Sequence, residues 1–487
     1  TVYNPNIHNK AIDTRIVRTF KKKENEERVA KSRWVCRGFK DERMHDTYKD
    51  TYSSTGDKFL LYIIIQYCLF RKFKMKTCDV KTAFLQTPVE SNDNIFIEIP
   101  NDIYNNYKEY FRGKKICRLL KYMYGLGDAS KGFNVYLKKI LNKMGYIELY
   151  DCIYIKINNN NNIISIIYIH VDDLFIGCDE KEEKKIEEEI SRELELDGFE
   201  NIMDGEEHRY VGVSMKYNKN ENKIYISQKE YKEGIEYEYI GNKKNINISE
   251  KEFLSPKEYG DEEYIDNKLI HEAQKLVGIL GWLVITQPPL YYIFSKLSQY
   301  TTTPTPRIIN NIKKCIIYVK ERSKYIELSA VNKPSIESMA DASFKRISKQ
   351  SRLGYTFRIR EEKELKENKL NNNMYNNIFC WKSKKIGRLI DSTTAAELMG
   401  MKAALKISYK CINFIKKLWG YENIYYVHYT DNLPLLKIIE KNKFDEEPSL
   451  SGEVKYCVQC LEDNNATLRW IDTANMIADS LTKFVKV

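Results

Sequence analysis

Two aspartates stand side by side at Asp172 and Asp173, in the segment IISIIYIHVDDLFIGC spanning Ile163–Cys178. Apolar, strand-like runs flank them, so the pair falls on a polar turn between two strands. Adjacent carboxylates repel, and such a turn costs stability unless a cation or a base offsets the charge. Aspartate is also common in turns for conformational reasons alone, so the hairpin by itself leaves both readings open. A third acid favours the metal reading. Asp79 closes the strand-like run Lys74–Val80, within CDVKTAFLQTP. Phosphoryl transfer with two divalent ions about 4 Å apart needs carboxylates that converge from separate segments. One ion activates the attacking hydroxyl, and both stabilise charge around phosphorus. One aspartate after a strand, with an aspartate pair on a hairpin, is the smallest ligand set that meets the need.

A second set of acids lies toward the C-terminus. Asp341 ends a candidate strand in ADAS, and Glu397 lies in the first turn of a long helix in STTAAEL. Asp431 follows a strand in YTDN, and Asp479 opens the last helix in IADSLTK. Any one of these could be only a helix cap. Four acids at strand ends and helix starts, in this order, are the pattern of a two-metal ribonuclease H site.

The elements that must hold these residues fall into three parts. Residues 1–250 are rich in β-branched and aromatic alternation with helices between, broken by polar loops such as Asn158–Asn162. Lys181–Glu195 there reads as a helix with a solvated charged face. Residues 262–330 are helical: apolar helices from His271 to Thr301 break at Gln287-Pro288-Pro289, and Arg307–Arg322 forms another after the proline-containing linker TTTPTP. Residues 335–487 have the order β-β-β-α-β-α-β-α. Their candidate strands are Ser335–Ala340, Tyr355–Arg360, Ile378–Ser383, Ile424–Tyr429 and Thr467–Ile471. Leu398, Met401, Leu405, Ile412 and Ile415 form one buried stripe on the long helix. The polar insert Lys363–Asn377 reads as a floppy loop.

Composition sets the class. The chain has 487 residues, 43% hydrophobic and 30% charged, which is a globular profile large enough for several domains. The formal net charge of +11 suits polyanionic partners, although lysines on solvated helix faces give the same balance. Eleven scattered cysteines suggest no disulfide framework and suit a reducing compartment. The one C-x-x-C, Cys457 with Cys460, lacks the second pair or spaced histidines of a zinc site. No stretch is expected to approach the run of about 20 apolar residues that a membrane span needs.

The motifs resemble one family. DVKTAFL (Asp79–Leu85), YGL (Tyr124–Leu126) and HVDD (His170–Asp173) are similar, in order and spacing, to the signature blocks of copia-type retrotransposon reverse transcriptases. KSRWVCRGF (Lys31–Phe39) resembles the fingers block that precedes them, and YVGV (Tyr210–Val213) with KIYISQ (Lys223–Gln228) the approach to the thumb. The DAS, A-E-L, TDN and ADSLTK blocks resemble the ribonuclease H part of the same polyprotein, and TQPP (Thr286–Pro289) the T-R-P-D of the connecting segment.

The resemblance covers nearly the whole chain. It implies an α/β (α+β) fold, with right-hand fingers, palm and thumb, then a helical connection and a ribonuclease H-like mixed-sheet domain. Asp79, Asp172 and Asp173 would be the polymerase metal ligands, and Asp341, Glu397, Asp431 and Asp479 those of the nuclease. Each site would take two Mg2+ ions, with Mn2+ as a substitute. Lys31 and Arg33 would meet the incoming deoxynucleoside triphosphate, and Phe84 would be the steric gate against a ribose 2′-hydroxyl. A solvated β-ribbon and a plain core aromatic are the respective alternatives. The implied partners are an RNA template, a DNA primer and the RNA–DNA hybrid, with no membrane. The implied location is a cytoplasmic particle, with the nucleus as an alternative.

Four departures from the family pattern stand out. His170 replaces the tyrosine usual before V-D-D, and Gly127-Asp128-Ala129 replaces Lys-Gln-Ala, which removes a glutamine near the nucleotide sugar. SGEVKYCVQC (Ser451–Cys460) replaces a histidine-containing K-H-I motif, and Asp472–Asn475 holds no histidine before the last acid. The expectation is an RNA-directed DNA polymerase with ribonuclease H activity. Its rivals are a degenerate or host-adopted fragment that binds nucleic acid without polymerising, and a nuclease with a dead polymerase half.

Overall fold

The computed structural model describes residues 3–4, 10–22, 28–45, 51–90, 93–235, 266–322, 324–344, 351–444 and 448–484. The expected border between residues 250 and 262 lies outside the described residues. The chain packs as two compact units, residues 1–56 with 74–200, and residues 57–73 with 201–487.

The first unit is built on two sheets. A four-stranded sheet in the order β2-β1-β4-β5 contains the fingers ribbon, β1 (Ile12–Lys22) antiparallel to β2 (Arg28–Cys36), with β4 (Phe96–Glu98) and β5 (Ile116–Arg118). The palm sheet runs β10-β3-β9-β8-β7-β6. Its strands are β3 (Lys74–Asp79), β6 (Ile147–Tyr150), β7 (Ile153–Ile157), β8 (Ile163–His170), β9 (Asp173–Cys178) and β10 (Glu200–Asn201). The near-continuous apolar runs of β8 and β9 are explained by burial on both faces of these central strands. The helix Ala129–Lys143 packs Phe133, Leu137, Ile140 and Leu141 against them, and the charged helix Glu183–Glu193 adds Ile186 and Ile190. The polar run Asn158–Asn162 is the β7–β8 turn, as its composition implies.

The second unit contains the thumb-side sheet β11-β12-β13-β14, made of Glu207–Tyr210, Val213–Asn218, Lys223–Ser227 and Ile326–Ser329. β14 comes from the stretch expected to be connection, yet it pairs with β13. Helices Asn267–Leu283, Tyr291–Leu297 and Pro306–Arg322 form the connection around a core of Leu276, Leu280, Leu283, Ile308, Ile312 and Ile316. The first of these, continued to Thr286, has the length and mean hydropathy (1.2) of a membrane span, contrary to the sequence expectation. Its apolar stripe is occupied by that helical core.

The last sheet runs β17-β16-β15-β18-β19, from Ile378–Lys385, Arg352–Glu361, Pro334–Ser343, Tyr425–Thr430 and Ala466–Trp470. β15, β16 and β17 are antiparallel, while β18 and β19 run parallel to β15, which is the ribonuclease H-like mixed sheet expected. The helix Thr393–Trp419 packs on β15 and β16.

Two sequence expectations need correction here. Two helices, Leu433–Lys441 and Ser451–Asp463, stand between β18 and β19, and the last described turn is the short 3-10 segment Ile477–Leu481. The insert Lys363–Asn377 is not floppy. It begins in the helix Glu362–Lys366, buries Leu365, Met374 and Tyr375, and lends the carbonyls of Asn373 and Lys369 to the buried Arg358 and Arg360. Those arginines share Glu337, and unpaired guanidinium groups would be costly there.

The sequence reading assigned nothing to Lys58–Arg71. It is a helix apolar on every side, with ten consecutive buried residues from Leu60 to Leu69, and it belongs to the second unit. Tyr62 stacks on Trp381 at 6.5 Å, and Tyr67 meets Trp419 edge-on at 5.0 Å.

Candidate active sites

The three acids expected to form the polymerase site gather at one end of the palm sheet. Asp79 is the last residue of β3 and the Cα partner of Asp173, the first residue of β9. Asp172 occupies the β8–β9 turn, and its carbonyl accepts the Val80 N–H at 3.0 Å. Val171, just before it, has φ +61°, a left-handed conformation unfavourable for a β-branched residue. Such strain costs about 1–3 kcal/mol and persists only where its surroundings enforce it. Here the sheet on both sides enforces it. His170 is also a Cα partner of Asp173 and flanks the pair.

Burial, together with the charges of Asp172 and Asp197, pushes the Asp79 carboxyl up to about 6, while Lys31 pulls it down. Asp197 is a carboxylate that sequence reasoning missed. Its N–H donates to the Asp79 carbonyl at 3.0 Å, and its side chain meets that of Asp79. Nothing local in ELELDGF marks it; an antiparallel bridge from Val80 to Leu196 brings it there.

Lys31 and Arg33 lie on one face of β2, two residues apart. The charge of Lys31 is felt at Asp79, and the Arg33 guanidinium stands 5.9 Å from the centre of the Tyr124 ring. Phe84, half-buried on the turn Ala83–Gln86, meets the same ring edge-on at 5.3 Å and Phe133 at 6.5 Å. Tyr124 therefore joins the fingers ribbon to the gate candidate. Burial and the Asp172 charge raise its hydroxyl above the usual value. The Y-G-L glycine has a steric reason. Gly125 has φ +88°, and a Cβ there would come within 2.1 Å of the Cys36 carbonyl oxygen, while the Cys36 N–H donates to the Tyr124 carbonyl at 2.7 Å.

Asp128, in the Gly127-Asp128-Ala129 that departs from the expected Lys-Gln-Ala, is buried and paired with Arg43 at 3.3 Å. Arg43 also holds Asp41 at 2.6 Å and Asp93 at 3.6 Å. The substitution thus belongs to a buried ion cluster.

The acids expected to form the nuclease site converge in the second unit. Asp341, fully buried, lies near the end of the central strand β15. Glu397 is on the first turns of the helix Thr393–Trp419, whose start is capped by Ser392 accepting the Ala395 N–H at 3.0 Å. Asp431 follows β18. One ligand oxygen from each of Asp341, Glu397 and Asp431 lies within 4.8 Å of the others, a spacing that fits a divalent cation. Burial, then the Asp479 charge, pushes the Asp341 carboxyl up to about 7. Burial with the Asp341 and Asp431 charges raises Glu397 strongly. Acids so reluctant to ionise side by side suit a cation that is to be shared.

Asp479 joins from the 3-10 turn Ile477–Leu481. That turn lies on β16 because Gly354 has no side chain: a Cβ there would meet the Leu481 Cβ at 2.5 Å. Three supporting residues went unnoticed in the sequence. The Thr482 hydroxyl donates to Asp341 Oδ2, and Lys483 Nζ lies 3.2 Å from Asp341 Oδ1 and 2.9 Å from Asp479 Oδ1. The Thr473 hydroxyl donates to Asp431 Oδ2 at 2.8 Å, from the segment where a histidine was missing. Thr482 and Lys483 were in view within ADSLTK, but only the fold gives them partners.

Residues 1–244 match the family described as reverse transcriptase (RNA-dependent DNA polymerase). The chain is 24% identical over 326 residues to the retrovirus-related Pol polyprotein from transposon RE2 of Arabidopsis thaliana, covering 64% of this chain and 21% of that protein. It is 22% identical over 467 residues to the Pol polyprotein from transposon TNT 1-94 of Nicotiana tabacum, covering 93% of this chain and 33% of that protein. The chain thus spans a third or less of the length of these two relatives. Among solved structures, ribonuclease H1 from Halobacterium salinarum NRC-1 aligns over 30% of this chain and 93% of its own, at 15% identity and TM-score 0.22. With Asp79, Asp172 and Asp173 gathered on the palm sheet inside the matched half, the chain belongs to the reverse transcriptase family of copia-type retrotransposon Pol polyproteins.

Proposed function

We propose that this chain copies RNA into DNA at Asp79, Asp172 and Asp173, and cuts the RNA strand of the hybrid at Asp341, Glu397, Asp431 and Asp479. The observation that carries this reading is the pairing of two separately built carboxylate clusters in one chain, each delivered by a central strand end. Divalent metal, Mg2+ or Mn2+, held by these acids supplies Lewis-acid stabilisation of charge developing on the phosphate oxygens. The chain's own groups do the rest. Lys31 and Arg33 bind the triphosphate of the incoming deoxynucleotide, Phe84 excludes a 2′-hydroxyl, and Tyr124 holds Phe84 and Arg33 in place. Thr482 and Thr473 orient Asp341 and Asp431. The basic excess holds template, primer and hybrid through phosphate contacts that carry no sequence information. The setting we propose, on the resemblance alone, is a cytoplasmic particle.

The test is RNA-templated primer extension with Mg2+, beside hybrid cleavage. Asp172→Asn should abolish extension and spare cleavage, and Glu397→Gln should do the reverse. No extension by the unaltered chain, with hybrid still bound, would leave a nucleic-acid-binding relic. Cleavage without extension would leave a nuclease only.

A further inference from the structure

The four nuclease acids do not offer two equivalent cation positions. Asp341, Glu397 and Asp431 face one another within 4.8 Å, whereas the place between Asp341 and Asp479 is taken by the ammonium group of Lys483. Lys483 uses Oδ1 of Asp341 and Oδ1 of Asp479, one oxygen from each of two acids that would hold a second divalent ion. Oδ2 of Asp341 already accepts the hydroxyl of Thr482, itself fully buried, so the carboxylate is not free to turn its other oxygen to that position. The backbone fixes the arrangement. The N–H groups of Thr482 and Lys483 both donate to the Asp479 carbonyl, at 3.1 and 2.9 Å, which folds the chain so that the lysine returns over its own turn. The Lys483 side chain is 43% exposed, so its flexible stem has a way out to solvent.

We propose that Lys483 is a built-in counter-ion that holds the Asp341–Asp479 position until a second divalent ion displaces it. The chain then binds one divalent ion readily, at Asp341, Glu397 and Asp431, and a second only by expelling the ammonium group. Lys483 is thus a positioning residue that sets how many metal ions the nuclease site holds at a given concentration. This rests on the nuclease reading proposed above.

The test is Mn2+ binding to the full chain by calorimetry, in an Asp172→Asn background that weakens the polymerase site. Alongside it, thermal melting is followed in EDTA and in saturating Mn2+. Lys483→Met, which keeps the stem and removes the charge, should tighten the weaker nuclease-site event by about tenfold or more. It should also lower the melting temperature in EDTA more than in Mn2+. Lys483→Arg, which keeps the charge, should leave the weaker event near its original affinity. A Lys483→Met protein with unchanged weak affinity and equal melting losses in both conditions makes the lysine merely structural and overturns the proposal. Asp341→Asn separates the two levels. If it leaves the Mn2+ events unchanged, the nuclease reading falls and the lysine proposal with it; if it removes them, a negative Lys483→Met result counts against the lysine alone.

Discussion

Asp79 and Asp173 are Cα partners across the antiparallel β3–β9 pair, so the distance between two of the acids proposed for polymerisation is set by sheet register. A ladder of backbone hydrogen bonds does not adjust to a longer side chain. Asp79→Glu, which keeps the charge and adds one methylene, should therefore lower primer extension by about 100-fold, the scale on which a 1 Å misplacement costs rate. Steady-state extension rates decide it, and a glutamate variant with near-normal turnover would refute a register-fixed site.

Phe84 stands edge-on to Tyr124 and is only half-buried, so shortening it removes bulk without unpacking the palm. Phe84→Val should raise incorporation of ribonucleotides relative to deoxynucleotides by at least about tenfold, with the fold intact. Competition between the two nucleotide types on one template reads this directly. An unchanged ratio would make Phe84 a core aromatic and nothing more.

Gly125 is needed for its backbone. Gly125→Ala places a methyl group against the Cys36 carbonyl at φ +88°, and left-handed backbone alone costs an L-residue about 1–2 kcal/mol. Urea unfolding should show at least that loss in the first unit. Extension should fall further than stability does, because Tyr124 shifts with its neighbour.

The acidic nuclease site should make metal-free stability fall as pH rises. In the unfolded chain Asp341 loses its proton near the ordinary 3.8, but in the folded chain it keeps it to about 7. The folded state binds more protons between those values, so stability is lost as pH climbs through that window. Glu397 acts in the same direction. Melting temperature in EDTA should drop between about pH 4 and 7, and divalent metal should flatten the decline. The same slope with and without metal would show that the acids do not share a cation.

Glu337 is nearly inaccessible and holds both Arg358, at 2.6 Å through Nε, and Arg360, at 2.9 Å. Glu337→Ala leaves the buried Arg358 without a carboxylate and Arg360 with only Glu364, 2.9 Å from its Nε, and should destabilise the sheet by about 3–5 kcal/mol. Chemical denaturation followed at Trp381, on the neighbouring β17, would register it.

The sequence disclosed what local chemistry writes into it. Candidate strands were legible at β15 to β17, apolar runs marked β8 and β9, and acids at strand ends marked the candidate sites. It hid whatever depends on a distant partner. Asp197 reaches Asp79 only because Val80 bridges Leu196, and Lys483 matters only because β15 brings Asp341 beneath it. The polar insert before β17 reads as a floppy loop because its buried partners, Arg358 and Arg360, sit on another strand.

The helix Lys58–Arg71 lies early in the chain but takes its place among residues that follow position 200. The chain therefore enters the second unit, leaves it, and enters again, and no single cut separates the two. During synthesis the ten buried side chains of that helix emerge long before Trp381 and Trp419, their aromatic partners. A gene copy interrupted by a stop codon near position 200 would not encode a smaller polymerase. It would encode a palm with a bare apolar helix attached, a substrate for chaperones and proteases.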